Sequence, residues 1–373
     1  MKKQPVIHVT QPVLPPLEAL MPALKKMWAS RNLTNGGEFH EQFEDALSQY
    51  LGVEHVSLFT NCTVGLIVAL RALDLSGEVI TTPFSFVATA HSLMWNHLRP
   101  VFVDVDEHTL NINPDCIESA ISANTVAIMP VHVYGQPCDV EAIDGLAKKH
   151  GLKVIYDAAH AFGVKMAHRN LFAYGDVSVL SFHATKVFNT FEGGAVVCRS
   201  RHMKEKIDRL KNFGIMNDGT VGALGLNGKM SEFNAALGLA QLNLVEQSIV
   251  SRQRMDTAYR KGLADVRSIE CYEWRHGCKP NYAYFPIRVR SGYPLTRDQL
   301  FEVLLQEGIR ARRYFYPLIS DSTVYADLPS AHPDALPVAQ QVANEILCLP
   351  IYPDLSQSDV ERIIYIIRQQ GSL

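Results

Sequence analysis

The chain has 373 residues, 47% of them hydrophobic and 20% charged, which is the composition of an ordinary globular protein rather than a disordered or fibrous one. That length allows one large and one smaller domain, each with its own core. A formal net charge of −3 excludes a general electrostatic field for nucleic acid or an anionic membrane.

From the N-terminus, Met1-Lys2-Lys3 has the basic character of a secretion signal, but Pro5, Pro15 and Pro16 interrupt any apolar run. The most apolar stretch, Val64 to Leu70, is too short to span a bilayer. Val56 to Phe59 reads as a strand and Val64 to Leu73 as a helix. Glu78 to Thr82 predicts a strand, Phe86 to Trp95 a helix, Val101 to Val103 a strand and Pro114 to Ile121 a short helix. Val126 to Pro130, Lys153 to Tyr156, Val177 to Phe182 and Ala195 to Cys198 predict further strands, with a helix over Val140 to His150. Near-continuous apolar strands alternating with helices imply an α/β three-layer sandwich, a mostly parallel sheet covered on both faces. Phe233, Ala236, Leu237, Ala240 and Leu244 then share one face of a long helix that serves as a hinge. Tyr282 to Val289 follows as a strand, Thr296 to Glu307 as a helix, and Val360, Ile363, Ile364 and Ile367 mark a final amphipathic helix. The expected division is a large α/β domain over 1–249 and a smaller C-terminal α/β domain over 250–373. The seven scattered cysteines contain no C-x-x-C and complete no metal pattern, so they read as reduced thiols of a cytoplasmic protein with no metal site.

In an open parallel sheet, ligands sit beyond the carboxyl ends of the strands. Three features leave those ends. Asp157 closes the strand Lys153 to Tyr156 and is followed by Ala158-Ala159-His160. Lys186 lies beyond Val177 to Phe182, with Glu192-Gly193-Gly194 after it. Thr60-Asn61-Cys62-Thr63-Val64-Gly65 opens a helix whose free N–H groups suit a phosphate. Taken singly, each has a plainer reading: a helix cap at Asp157, a surface lysine at 186, an ordinary N-cap at Asn61 or Thr63. Together they supply what pyridoxal 5′-phosphate needs: an amine for its aldehyde, an anion for its ring nitrogen and donors for its phosphate.

Ser181-Phe182-His183-Ala184-Thr185-Lys186 with Glu192-Gly193-Gly194 resembles the lysine segment of the sugar-nucleotide aminotransferases, the DegT/StrS group of fold type I. So do Thr81-Thr82-Pro83-Phe84-Ser85-Phe86-Val87-Ala88-Thr89, Asp157-Ala158-Ala159-His160-Ala161-Phe162-Gly163, and Asn227-Gly228-Lys229-Met230-Ser231-Glu232. The likeness covers about residues 30 to 250, with the motifs in the family's order and spacing. The N-terminal stretch and Ala311 to Pro317 look most like the enzymes that make dTDP-4-amino-4,6-dideoxyglucose.

The resemblance implies roles. Lys186 would carry the cofactor and move the proton. Asp157 would pair with the ring nitrogen, His160 would lie near the ring's phenolic oxygen, and Phe86 would stack on the ring. Cys62, Thr63 and Ser181 would hold the phosphate, and Asn227 would reach the cofactor of a neighbouring subunit in a homodimer with shared sites. His183, Lys229, Arg312 and Tyr314 would contact substrate. The chain has Cys62-Thr63 where the family often has Gly-Thr, and Phe191 where it often has Gly. Lys186 is intact, which disfavours the dehydratase chemistry of relatives that have histidine there. The implied reaction transfers an amino group from L-glutamate to a nucleotide-linked keto sugar. Its product would be a deoxyamino sugar of the kind used in lipopolysaccharide O-antigens. A 3-keto sugar aminotransferase, a pyridoxal-phosphate lyase or racemase, and a sugar-nucleotide binding protein are the alternatives.

Overall fold

The computed structural model describes residues 5–371, and every count below is of those residues. The central sheet has seven strands: β1 (His55–Phe59), β2 (Glu78–Thr81), β3 (Arg99–Phe102), β4 (Thr125–Met129), β5 (Lys153–Asp157), β6 (Val177–Ser181) and β7 (Gly194–Cys198). Their spatial order is β1-β7-β6-β5-β4-β2-β3. β2, β3, β4, β5 and β6 pair in parallel, while β7 runs antiparallel to both β1 and β6. Every residue of β6 and β7 is buried, as expected for strands covered on both faces.

Seven helices accompany the sheet: α1 (Leu17–Ser30), α2 (Glu38–Leu51), α3 (Cys62–Ala72), α4 (Ala88–Trp95), α5 (Pro114–Ala120), α6 (Val140–His150) and α7 (Arg201–Leu210). Polar side chains start several of them. Asn61 accepts from Val64 N–H, Asp139 from Ala142 N–H and Ser200 from Met203 N–H. α4 begins two residues later than the sequence suggests. Phe86 and Val87 precede it, which leaves the Phe86 ring outside the helix and 61% exposed.

The predicted long helix is two helices, α8 (Glu232–Leu242) and α9 (Val245–Leu263). The break falls at Asn243 and Leu244. Asn is a weak helix former, and Leu244 N–H turns back to the Gln241 carbonyl at 2.9 Å. α9 packs on the first core through Val245 and Ile249 and on a second through Tyr259 and Leu263. The expected boundary at 249/250 lies within this helix.

The second core surrounds an antiparallel sheet of β8 (Ile269–Cys271), β9 (Phe285–Val289) and β10 (Ile346–Leu349). α10 (Arg297–Gln306), α11 (Pro337–Glu345) and α12 (Gln357–Gly371) complete this half. Leu300, Leu304, Val360, Ile363 and Ile367 fill it. Ile7 also belongs to this core, paired in parallel with Ile309.

Candidate active site

A cavity of about 270 Å³ opens at the carboxyl ends of β1, β5 and β6. Register explains why these ends meet: Phe59 and Ser181 both pair with Gly194 at the start of β7. Gly194 is required there. A Cβ would lie 2.8 Å from Cys62 N, 2.9 Å from the Asn61 carbonyl carbon and 2.9 Å from the Leu180 carbonyl oxygen, all backbone atoms. The Gly pair thus lets β7 run close beneath the first turn of α3.

That first turn has donors to spare. Asn61 Oδ1 accepts from Val64 N–H at 2.9 Å, and Gly65 N–H reaches the Asn61 carbonyl at 3.2 Å. The Cys62 and Thr63 N–H groups have no partner among the described residues, and both residues line the cavity with Ser181. An α-helix N-terminus with unpaired N–H groups is an anion site. Burial, with Asp157 nearby, pushes the Cys62 thiol well above its ordinary range, so it stays protonated and does not compete as a nucleophile.

Asp157 does not cap a helix. Its Oδ2 accepts from Thr89 Oγ1 at 2.7 Å and its Oδ1 from Ala159 N–H at 3.1 Å. Burial raises its carboxyl above the usual range, while Thr89, Ala159 and Lys186 act to lower it. Lys186 is half-buried in the same cavity, and its Nζ donates to Tyr284 Oη at 3.2 Å. Burial pushes its amine below the ordinary lysine range, against the opposing effects of Cys62 and Asp157.

His160 Nδ1 accepts from Tyr134 N–H at 3.1 Å, so the proton of the neutral ring sits on Nε2. Burial, followed by the Lys186 charge, holds that ring well below its ordinary value and therefore uncharged. Phe86 forms one wall of the cavity. Tyr284, Tyr314 and Phe315 close it from the second half of the chain.

The structure thus gathers Cys62, Thr63, Phe86, Asp157, His160, Ser181, His183, Lys186 and Tyr314 around one cavity. His183 is exposed at the mouth, with Nδ1 2.8 Å from Thr185 Oγ1 and Nε2 3.6 Å from Glu192 Oε1. Three expected residues stand apart. Arg312 lines an adjoining cavity of about 390 Å³ shared with Phe86, Arg313 and Tyr314. Lys229 donates to Asn212 Oδ1 at 2.6 Å, and exposed Asn227 pairs through its backbone with Asn212. Neither Lys229 nor Asn227 lines the cavity of its own chain.

Sequence reading missed Thr89 and Tyr284. Thr89 had a signal: it lies three residues after Phe86 at a helix start, where i and i+3 share a face. Tyr284 sits one residue before β9, and an aromatic there reads as core. A half-buried amine, a buried carboxylate and an unpaired helix N-terminus around one cavity fit pyridoxal phosphate.

The comparisons agree with this chemistry. The chain is 52% identical over 363 residues to the dTDP-4-amino-4,6-dideoxy-D-glucose transaminase of Shigella dysenteriae, covering 97% of this chain and 98% of that protein. It is 49% identical over 360 residues to the enzyme of the same name from Escherichia coli, covering 96% of each. Among solved structures, DesI in the presence of its TDP-sugar product superposes with a TM-score of 0.94 at 34% identity, covering 99% of this chain and 94% of that one. The family profile matches continuously over residues 17–368, and the chain belongs to the DegT/DnrJ/EryC1/StrS aminotransferase family.

Proposed function

We propose that the protein transfers an amino group from L-glutamate to dTDP-4-keto-6-deoxy-D-glucose, giving dTDP-4-amino-4,6-dideoxy-D-glucose, with Lys186 carrying pyridoxal phosphate. The observation that carries this reading is the 52% identity to a transaminase of that product across nearly both whole chains. The intact amine, carboxylate and helix N-terminus of the cavity support it.

Bound pyridoxal phosphate supplies an aldehyde and a protonated ring that withdraws electrons from the amine-bearing carbon. The rest is the work of the chain. Lys186, whose amine burial pushes below the ordinary lysine range, would be the nucleophile and then the base that moves the proton at that carbon. Asp157, fixed through both oxygens, provides the anion for the ring nitrogen. Cys62 and Thr63 N–H groups, with Ser181, would hold the phosphate. Phe86 would cover the ring face, and His160 would offer its Nε2 proton to the phenolic oxygen.

His183, Tyr314 and Arg312 face substrate. Arg312 has no carboxylate partner among the described residues, which leaves its charge for the carboxylate of glutamate or a phosphate of the nucleotide. Asn227 serves the site of a second subunit, and Lys229 beside it is a substrate contact. The segment before them exposes Val221 (71%) and Leu224 (79%), apolar surface suited to cover by another copy in a homodimer. The cysteines are all free, which supports a reducing, cytoplasmic setting. Among the described residues no helix is long and apolar enough to cross a membrane.

The test is NMR analysis of the product from dTDP-4-keto-6-deoxyglucose and glutamate. Nitrogen on C4 is expected. Nitrogen on C3, or turnover confined to a different nucleotide, would overturn the assignment.

A further inference from the structure

The hydrogen bond between Lys186 Nζ and Tyr284 Oη, at 3.2 Å, is the one side-chain hydrogen bond that either group makes among the described residues. The Tyr284 ring is fixed by its neighbours. Its centroid is 4.9 Å from that of His160, 5.4 Å from Tyr134 and 5.7 Å from Tyr314. Behind it lies Arg252, fully buried on α9. The Arg252 guanidinium donates to the Ile351 carbonyl at 2.8 Å and to the Ala283 carbonyl at 3.5 Å, while its Nε has no partner. No ion pair neutralises it among the described residues. A buried cation without a counter-anion is costly and calls for a reason beyond packing.

We propose that Tyr284 is the residue that positions the Lys186 amine whenever that amine is free: across the 3.2 Å contact the ammonium donates to the phenolic oxygen, and once the amine has lost its proton the hydroxyl donates to the nitrogen lone pair. This rests on the reading of Lys186 as the cofactor-carrying residue. Other groups around the amine cannot do this. Asp157 is an anion and favours the ammonium form. Cys62 and Tyr314 are protonated, with their acidic protons pushed up by burial. His160 is neutral, with Nδ1 already accepting from Tyr134 N–H. The His183 and Glu192 pair is exposed at the mouth. The Tyr284 hydroxyl proton has no acceptor among the described residues except that nitrogen. Arg252 acts in the same sense, because its charge makes the phenol a better donor. When the amine takes a proton from the reacting carbon, the hydrogen bond reverses: the ammonium donates to the phenolic oxygen, and no proton leaves the pair.

The test variant is Tyr284→Phe, which keeps the ring contacts and removes only the hydroxyl. In cofactor-free protein, the rate of pyridoxal phosphate uptake is followed by absorbance against pH, since only the uncharged amine attacks the aldehyde. The midpoint of the acid limb should move up by about one pH unit. In the loaded enzyme, kcat should fall about tenfold or more, with KM for glutamate within about twofold. A midpoint that stays in place or moves down overturns the role of Tyr284. Borohydride reduction and peptide mapping separate this from failure of the underlying reading. Label on residue 186 with an unmoved midpoint rejects Tyr284 alone, whereas label elsewhere in the unaltered protein rejects Lys186 and Tyr284 together.

Discussion

Thr89 Oγ1 donates to Asp157 Oδ2 at 2.7 Å, and Ser85 Oγ lies 2.9 Å behind it. Because the Thr89 proton goes to the carboxylate, Ser85 donates to Thr89, and a short relay from the loop before α4 orients the anion. Thr89→Val keeps the shape and removes the donor. A hydrogen bond to a charged group contributes about 1.5–3 kcal/mol, so the Asp157 anion should become less favourable and pyridoxal phosphate should bind about tenfold more weakly. Titrating cofactor-free protein by fluorescence measures this. An unchanged Kd would detach Thr89 from cofactor binding.

Lys186 costs the empty protein stability, and the sign follows from its burial. An amine held below its ordinary value binds fewer protons folded than unfolded, so unfolding takes up a proton between the lowered value and about pH 10.4. Stability attributable to this group therefore rises with pH across that window. Lys186→Met in cofactor-free protein should raise Tm by about 2–4 °C near pH 7. The gain should shrink as pH approaches about 10. A gain independent of pH would show that the native amine is charged.

Much of the cavity is legible from residue order alone, because parallel strands deliver their carboxyl ends to one edge. Asp157, Lys186 and the helix start at Cys62 could be placed together from strand and helix periodicity before any contact was known, while Ser181 was implied only by the family resemblance. Tyr284 and Phe315 could not, since they come from the second half of the chain and an aromatic beside apolar residues looks like core. The break between α8 and α9 was hidden because Leu244 stays in phase with Ala236 and Leu237 while Asn243 alone interrupts. Phe191 illustrates a departure whose consequence needed the backbone. It sits at φ +64°, the left-handed region where glycine is favoured, and its ring stacks on Phe233 at 5.9 Å. Lys229 was legible as a candidate substrate contact by its chemistry alone, but its bond to Asn212 within its own chain was not.

Gly194→Ala tests whether the close approach of β7 shapes the phosphate end. The added methyl would meet three backbone atoms at 2.8–2.9 Å, none of which can rotate away. Overpacking of this kind costs about 1–3 kcal/mol and would push the first turn of α3 out of place. Lower stability in urea and weaker pyridoxal phosphate binding should appear together. Loss of stability with unchanged cofactor affinity would mean that the Cys62 and Thr63 N–H groups do not hold the phosphate.

Buried His132 makes the fold sensitive to acid. Its ring is fully buried and stacks on Tyr156 at 4.7 Å, its Nδ1 accepts from Cys138 N–H at 3.1 Å, and its Nε2 has no partner. Burial pushes it down from 6.5 to about 3. The unfolded ring takes a proton near its ordinary value while the folded ring refuses it, so stability falls as pH drops through that window. At about 1.4 kcal/mol per unit, the loss across the window is on the order of 4–5 kcal/mol. His160 is lowered for the same reason and adds to the slope. His132→Gln retains an acceptor for Cys138 N–H but cannot titrate. Its unfolding free energy should decline more shallowly than that of the unaltered protein between about pH 6.5 and 4, even if it is lower near pH 7. Parallel declines would show that the native ring protonates without penalty. In that case the acid sensitivity would belong to His160 and the carboxylates instead.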